Sequence, residues 1–143
     1  RSAEVSADSH NIYFHVSTLD PLTASAGPNW MLLYIDADHD PKTGWLGYDC
    51  VVNRSNVRPG MTTLERNEGG KYQWSAPVDI PMRVAGNELE LAIPRTLLGI
   101  TDVDFTLDFK WADNVMQTGE WSDFTLNGDA APNDRFNYRA KSR

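Results

Sequence analysis

The 143-residue chain contains a single cysteine, Cys50, so no intrachain disulfide is available to it. A disulfide framework is thereby excluded, and the lone thiol, set in an apolar stretch, reads as a small buried hydrophobe and not as a nucleophile. Basic residues are also scarce: 13 Lys and Arg against 20 Asp and Glu give a net charge of -7. Nucleic-acid binders draw most of their affinity from clustered Lys and Arg, so nucleic acid and other polyanions are disfavoured as partners. No window approaches the roughly 18 consecutive apolar residues of a membrane span, and the opening RSAEVSADS has neither a basic nor an apolar leader segment. The chain reads as a soluble, monomeric domain from a larger extracellular (secreted) protein, with any signal peptide removed or lying upstream.

Catalytic signatures are missing too. There is no G-x-S-x-G and no H-E-x-x-H, and the histidines, His10, His15 and His39, are scattered. Glu88 and Glu90 share a strand face at about 7 Å, near a glycosidase spacing, but alternating charges are what a solvated strand face looks like. Glu65, Glu68 and Glu120 read most simply as surface residues. The expectation is a protein that is not an enzyme.

What is present is strand periodicity. Asn11 to Ser17 alternates Ile12, Phe14 and Val16 against polar neighbours, and Asn87 to Ile93 alternates Leu89, Leu91 and Ile93 against Glu88 and Glu90. Asp104 to Trp111 sets Phe105, Leu107, Phe109 and Trp111 against Thr106, Asp108 and Lys110. Trp30 to Ile35 is apolar on both faces, as suits a central strand covered on each side. Met61 to Arg66 and Lys71 to Ser75 flank the turn NEGG, while Pro77 to Met82, broken by two prolines, reads as an edge or connection. Pro94 to Leu98 with Gly99 behind it predicts one helical turn. From Asp113 the chain is loop-rich, with a turn signal at Asn127-Gly128-Asp129. It carries enough apolar groups to predict that it packs down and ends the sheet. Many short strands and almost no helical periodicity predict one all-β domain spanning residues 1–143, an antiparallel β-sandwich of the jelly-roll or immunoglobulin-like kind.

The most informative stretch is MLLYIDADHDPKTGWLGYDCVVNR, residues 31–54. Its apolar strand runs into Asp36, Asp38 and Asp40 at alternate positions, and the chain returns through Asp49 into a second strand. Carboxylates held this close repel by on the order of several kcal/mol, so the arrangement suits a hard cation with oxygen ligands. Calcium is the first candidate, with Asp36, Asp38, Asp40, Thr43 and Asp49 as ligands. An EF-hand is excluded, because Pro41 falls where its loop glycine belongs, Gly47 where its glutamate belongs, and strands flank the loop. His39 offers a nitrogen to zinc or copper, but an oxygen-rich set suits calcium better. A polar turn that merely caps and solubilises the strand ends is the bland alternative.

Five tryptophans are spread along the chain. Sugar rings stack on such side chains, while Arg, Asn and Asp bind hydroxyls. Trp45, in a loop between Gly44 and Gly47, is expected to be the most exposed. For Trp74 and Trp121 core and ligand roles stand even, and Trp30 and Trp111 belong to the core. Asn53 and Arg54 leave the loop on the next strand, open to either a sugar or a structural role.

The succession NIYFHV, WMLLYIDADHDPKTGWLGYD, NELELAIPRTLLGI, DFKWADN and GDAAPNDRFNY resembles the carbohydrate-binding modules of the family 9 type, within the wider DOMON-like group of β-sandwich domains. The resemblance covers nearly the whole chain from Asn11. It implies a non-catalytic, calcium-stabilised sandwich that targets a covalently linked polysaccharide-degrading enzyme to its polysaccharide or oligosaccharide. It also gives the metal role to Asp36, Asp38 and Asp49, with Asp40 and Thr43 beside them. Its competitors are a purely structural accessory domain of a glycoside hydrolase or polysaccharide lyase, and a haem role requiring Met and His axial ligands.

Overall fold

A computed structural model describes residues 2–142 except 26, 28, 117–118, 127–128 and 134–135. The described elements are strands β1 (Ser2–Ala7), β2 (Asn11–Ser17), β3 (Leu32–Asp36), β4 (Cys50–Val52), β5 (Met61–Arg66), β6 (Val78–Ala85), β7 (Glu88–Pro94), β8 (Thr106–Asp113), β9 (Asp129–Ala131) and β10 (Tyr138–Lys141), with a 3₁₀ turn at Arg95–Leu98 and one helical turn, α1 (Asp123–Leu126). All pairings are antiparallel, in the order β1-β2-β7-β6-β5-β4-β3-β8-β10, with β9 beside β8. The predicted all-β antiparallel class is therefore what the chain adopts.

From β3 to β7 every strand pairs with its neighbour in sequence, and β6 belongs to both layers. Residues 78–81 pair with β5, and residues 82–85 pair with β7. One sheet thus curls over on itself to make a sandwich. The expected break at Pro77 to Met82 is corrected. Pro77 lies just before β6, and Pro81 sits where the strand leaves one partner for the other, a bend that tolerates a missing N–H. Ile80 and Met82 still alternate inward there.

The alternations read from the sequence point into the space between the layers. Ile12, Phe14 and Val16 of β2 and Leu89, Leu91 and Ile93 of β7 meet Leu33 and Ile35 of β3 and Leu107, Phe109 and Trp111 of β8, all buried. Phe14 and Phe109 contact edge to face at 5.4 Å across the layers. Each fully buried apolar side chain of this size contributes about 1.5–3 kcal/mol, so this core supplies most of the driving force. Cys50 is part of it, and burial pushes its thiol up to about 12. Trp30 and Trp111 are core, as expected.

The outer face of β3 and β8 is covered as well. Leu32 and Tyr34 lie there with Trp45, Tyr48, Val51 and Phe124 in a second apolar cluster. Lys110 is fully buried on this face; its Nζ donates to the Pro132 carbonyl at 2.6 Å and lies 5.4 Å from the Phe124 ring centroid. Glu65 is corrected from surface to buried: it is 3% exposed, paired with Arg54 at 2.8 Å.

The predicted turn after β7 is present, with Gly99 capping it at φ 68. The tail does zip onto β8 through β9 and β10, although Leu126 and Phe136 stay exposed. Of its turn signal, Asn127 and Gly128 lie outside the described residues. The first strand, β1, was not expected, since Ala3 and Val5 give only a faint alternation.

Asp8 closes the β1–β2 hairpin. It accepts from the backbone N–H groups of Asn11 (2.7 Å) and His10 (2.8 Å) and from the Tyr13 hydroxyl (2.7 Å). Those donors, Asn11 foremost, lower its carboxyl from 3.8 to about 2. A depressed carboxylate stabilises the fold above its unfolded value, and that contribution is lost as pH falls through about 2. Asp8→Asn is expected to lower Tm near neutrality and to flatten the decline of Tm over that acid range. An unaltered acid limb would show that other bonds close the hairpin.

Candidate metal centre

Asp36 ends β3 and Asp49 directly precedes β4, so the ladder itself brings them together; Asp49 N–H donates to the Ile35 carbonyl at 2.8 Å. Between them the loop doubles back. Asp49 Oδ2 accepts from the N–H groups of Ala37 (2.9 Å) and Asp38 (3.3 Å), which turns Asp38 toward its neighbours. Carboxylate oxygens of Asp36, Asp38 and Asp49 thereby lie within 4.8 Å of one another. Asp40 N–H bridges Asp36 Oδ1 (3.1 Å) and Asp38 Oδ1 (2.9 Å).

Two glycines make the loop geometrically feasible. A Cβ on Gly44, at φ 63, would stand 2.1 Å from the Tyr48 carbonyl oxygen, so no side chain fits. Leu46 and Gly47 take φ 54 and 96, and Trp45 and Tyr48 exchange two 2.9 Å backbone hydrogen bonds around them. That is a two-residue hairpin turn, with both central residues left-handed.

The electrostatics are one-sided. Burial, then Asp49 and Asp38, raises the Asp36 carboxyl from 3.8 to about 6, and burial raises Asp49 as well. Asp108, the cross-strand partner of Asp36, is shifted the other way. Arg139 clamps it with two bonds of 2.8 and 3.1 Å and His39 Nδ1 lies 3.2 Å away, so its carboxyl is lowered despite burial. Among the described residues no ion pair reaches Asp36, Asp38, Asp40 or Asp49. Three acids therefore converge with no ion pair to any of them among the described residues, which is a condition a hard cation relieves. The donor set fits calcium: all oxygen, negatively charged, with loop carbonyls and water able to complete the shell. Asp36, His39 and Asp108 form a second converging group, but Arg139 and His39 already satisfy Asp108 there.

The other sequence-predicted residues separate. Asp40 Oδ1 accepts from Lys42 N–H at 3.0 Å, and Thr43 Oγ1 donates to Asp38 at 3.0 Å, so Thr43 orients a carboxylate. Trp45 is corrected: it is 7% exposed, not the most open tryptophan. The tight turn, which the glycines alone did not specify, lays it on Tyr34 (5.4 Å) and Tyr72 (4.7 Å). Asn53 is fully buried, at φ 68, donating to the Met31 carbonyl at 2.7 Å and accepting from Thr62 Oγ1 at 2.7 Å; its role is structural. Arg54 pairs with Glu65. Trp74 packs against Tyr72 at 5.3 Å and is half-buried, while Trp121 is 48% exposed. Asp108 and Arg139 were missed, since their role depends on a register that pairs Asp36 with Asp108 and Asp108 with Arg139.

Comparison with family models, curated proteins and solved structures returns no match to this chain. The family resemblance thus rests on the sequence motifs alone.

A carboxyl whose pKa is raised by folding binds its proton more tightly in the folded state, so without metal Asp36 weakens the fold as pH rises from 3.8 to about 6. Asp36→Asn is therefore expected to match or exceed the unsubstituted chain's Tm at about pH 7 in chelator, and to gain nothing when calcium is added. An equal loss of Tm with and without calcium would reduce Asp36 to a cap for the Asp40 N–H.

Proposed function

We propose that this domain is a non-catalytic carbohydrate-binding module whose β3–β4 loop is held by one structural calcium ion. The observation that carries the calcium part is the convergence of Asp36, Asp38 and Asp49 with no paired cation among the described residues. Calcium would be held by those three carboxylates, with Asp40 and Thr43 keeping them in place, and it would supply charge neutralisation and a cross-link between two strands. Extracellular calcium keeps a site of modest affinity filled, which fits a secreted domain linked to a polysaccharide-degrading enzyme.

The binding part draws on the motif resemblance and on the exposed aromatic rings of Trp121, Phe136 and Tyr138. Glu88 and Glu90 are exposed on the outer face of β7, flanked by His15 and Arg83. That is a solvated strand face without the enclosed carboxyl that general-acid catalysis needs.

One observation favours a second reading, a purely structural accessory domain. Trp45 and Asn53 are tied into packing, Trp74 is half-covered and Arg54 is paired with Glu65, so four of the five residues expected at a sugar have other partners.

A cation that binds only the folded state adds RT ln(1 + [L]/Kd), about 2.7 kcal/mol at a hundredfold excess over Kd, on the order of 5–10 °C in Tm for a domain of this size. Chelation should remove that increment, and an unchanged melting curve would leave the acids as a solvated turn. Calorimetric titration with a polysaccharide panel should give saturable heat, weakened roughly tenfold by Trp121→Ala. Absence of heat with every glycan would establish the structural reading.

A further inference from the structure

The two edge strands of the curled sheet, β1 and β10, bring residues to one cleft. Its volume is about 660 Å³, within the roughly 300–1,000 Å³ of sites that take small organic ligands. Val5 lines it from β1, Ala140 and Lys141 from β10, and Val103 and Phe105 from the segment leading into β8. Arg95, from the 3₁₀ turn, lines it too and is only 9% exposed. Its guanidinium stands over the Phe105 ring, 5.4 Å from the centroid. Nη1 donates to the Asp8 carbonyl at 3.0 Å, and Nη2 donates to the carbonyls of Asp102 and Val103. Those dipoles solvate the charge without neutralising it, since among the described residues no carboxylate lies within ion-pair distance of Arg95. A guanidinium this deeply buried ordinarily has an anion beside it, because taking the charge out of water is costly. Its Nε–H makes no hydrogen bond among the described residues, yet Nε is not one of the fully enclosed unpaired atoms. That donor is therefore open, and the cleft is the space Arg95 borders. Asp8 borders the cleft as well, but its carboxylate is taken up by the Tyr13 hydroxyl and two backbone N–H groups.

We propose that this cleft binds a small organic acid with an apolar body, its carboxylate accepting from the Arg95 Nε–H and its hydrocarbon lying on Val5, Val103, Phe105 and Ala140. The carboxylate supplies the counter-charge that the described residues withhold from Arg95, and a charge-assisted hydrogen bond of this kind is about twice as strong as a neutral one. Lys141, exposed and without an ion pair among the described residues, adds a second positive charge at the same cleft. An organic cation is refused by those two charges, and an inorganic anion leaves the apolar lining uncovered. The site shares no residue with the Asp36–Asp38–Asp49 loop or with the exposed rings of Trp121, Phe136 and Tyr138, so it stands or falls separately from the glycan reading.

The test is titration of the isotope-labelled chain with hexanoate and phenylacetate, and with their neutral counterparts hexanamide and phenylacetamide, followed at the arginine Nε–H resonances. The Arg95 signal is assigned by through-bond correlation to its own backbone. The expected result is a saturable shift of that signal with at least one acid, with affinity about tenfold or more weaker for the matching amide. Val103→Glu, at an exposed position bordering the cleft, should weaken acid binding several-fold and leave amide binding unchanged. Arg95→Lys keeps the charge but loses the planar donor, and is expected to weaken the acid about tenfold if the chain still folds; the Val103 variant carries the test if it does not. An Arg95 signal unmoved by both acids would overturn the site, as would equal affinities for acid and amide or acid binding indifferent to Val103→Glu.

Discussion

Mutual repulsion among Asp36, Asp38 and Asp49 is the constraint around which the rest of this molecule is arranged. The β3–β4 ladder places the first and last of them side by side, and the backbone N–H groups of Ala37 and Asp38 draw the loop over the Asp49 carboxylate. Those hydrogen bonds organise the acids without neutralising them. A neighbouring acid shows the contrast: Asp108, opposite Asp36 in the sheet, is clamped by Arg139 with His39 beside it, and its carboxyl is lowered. Among the described residues the protein thus pairs one carboxylate of the row with a cation and makes no ion pair to the other three.

The same loop does a second job. Its two-residue turn returns Trp45 and Tyr48 to the outer face of β3, where they stack around Tyr34 with Phe124 from α1 and Tyr72 from the β5–β6 connection. The Tyr34 and Tyr72 hydroxyls meet at 2.9 Å, and the Tyr48 hydroxyl donates to Asn137 at 2.6 Å, so each of the three tyrosines keeps a partner for its hydroxyl. Fixing the acids therefore also fixes the aromatic roof over sheet strands β3 and β8. A cation at the loop would be felt by the outer cluster through shared backbone, and the buried Lys110 beneath that roof ties it to the tail through Pro132.

Much of the fold could be read from residue order. β2 and β4 fall where their alternation or apolar run puts them, β5 where the NEGG turn behind it does, and the turn closed by Gly99 follows from Pro94 and Gly99 alone. What escaped were features set by partners distant in sequence. β6 survives Pro81 because the strand changes neighbours there, a fact of topology. Glu65 looked like a surface group and Asn53 stood open to a sugar or a structural role, because polarity alone does not reveal an Arg54 partner or a Met31 carbonyl across the sheet. Trp45 looked exposed because flanking glycines signal a bend without saying which way the ring swings. The carboxylate triad was legible, since three of its determinants lie within one hairpin; the Asp108–Arg139 clamp beside it required the register of three strands.

The central claim, that a divalent cation occupies the Asp36–Asp38–Asp49 cluster, is tested most directly by counting calcium bound to the chelator-stripped, then reloaded, chain by native mass spectrometry. The expected result is one ion per chain at saturation, absent from Asp49→Asn under the same conditions. A stripped chain that takes up no calcium, or takes up as much in Asp49→Asn, would contradict it.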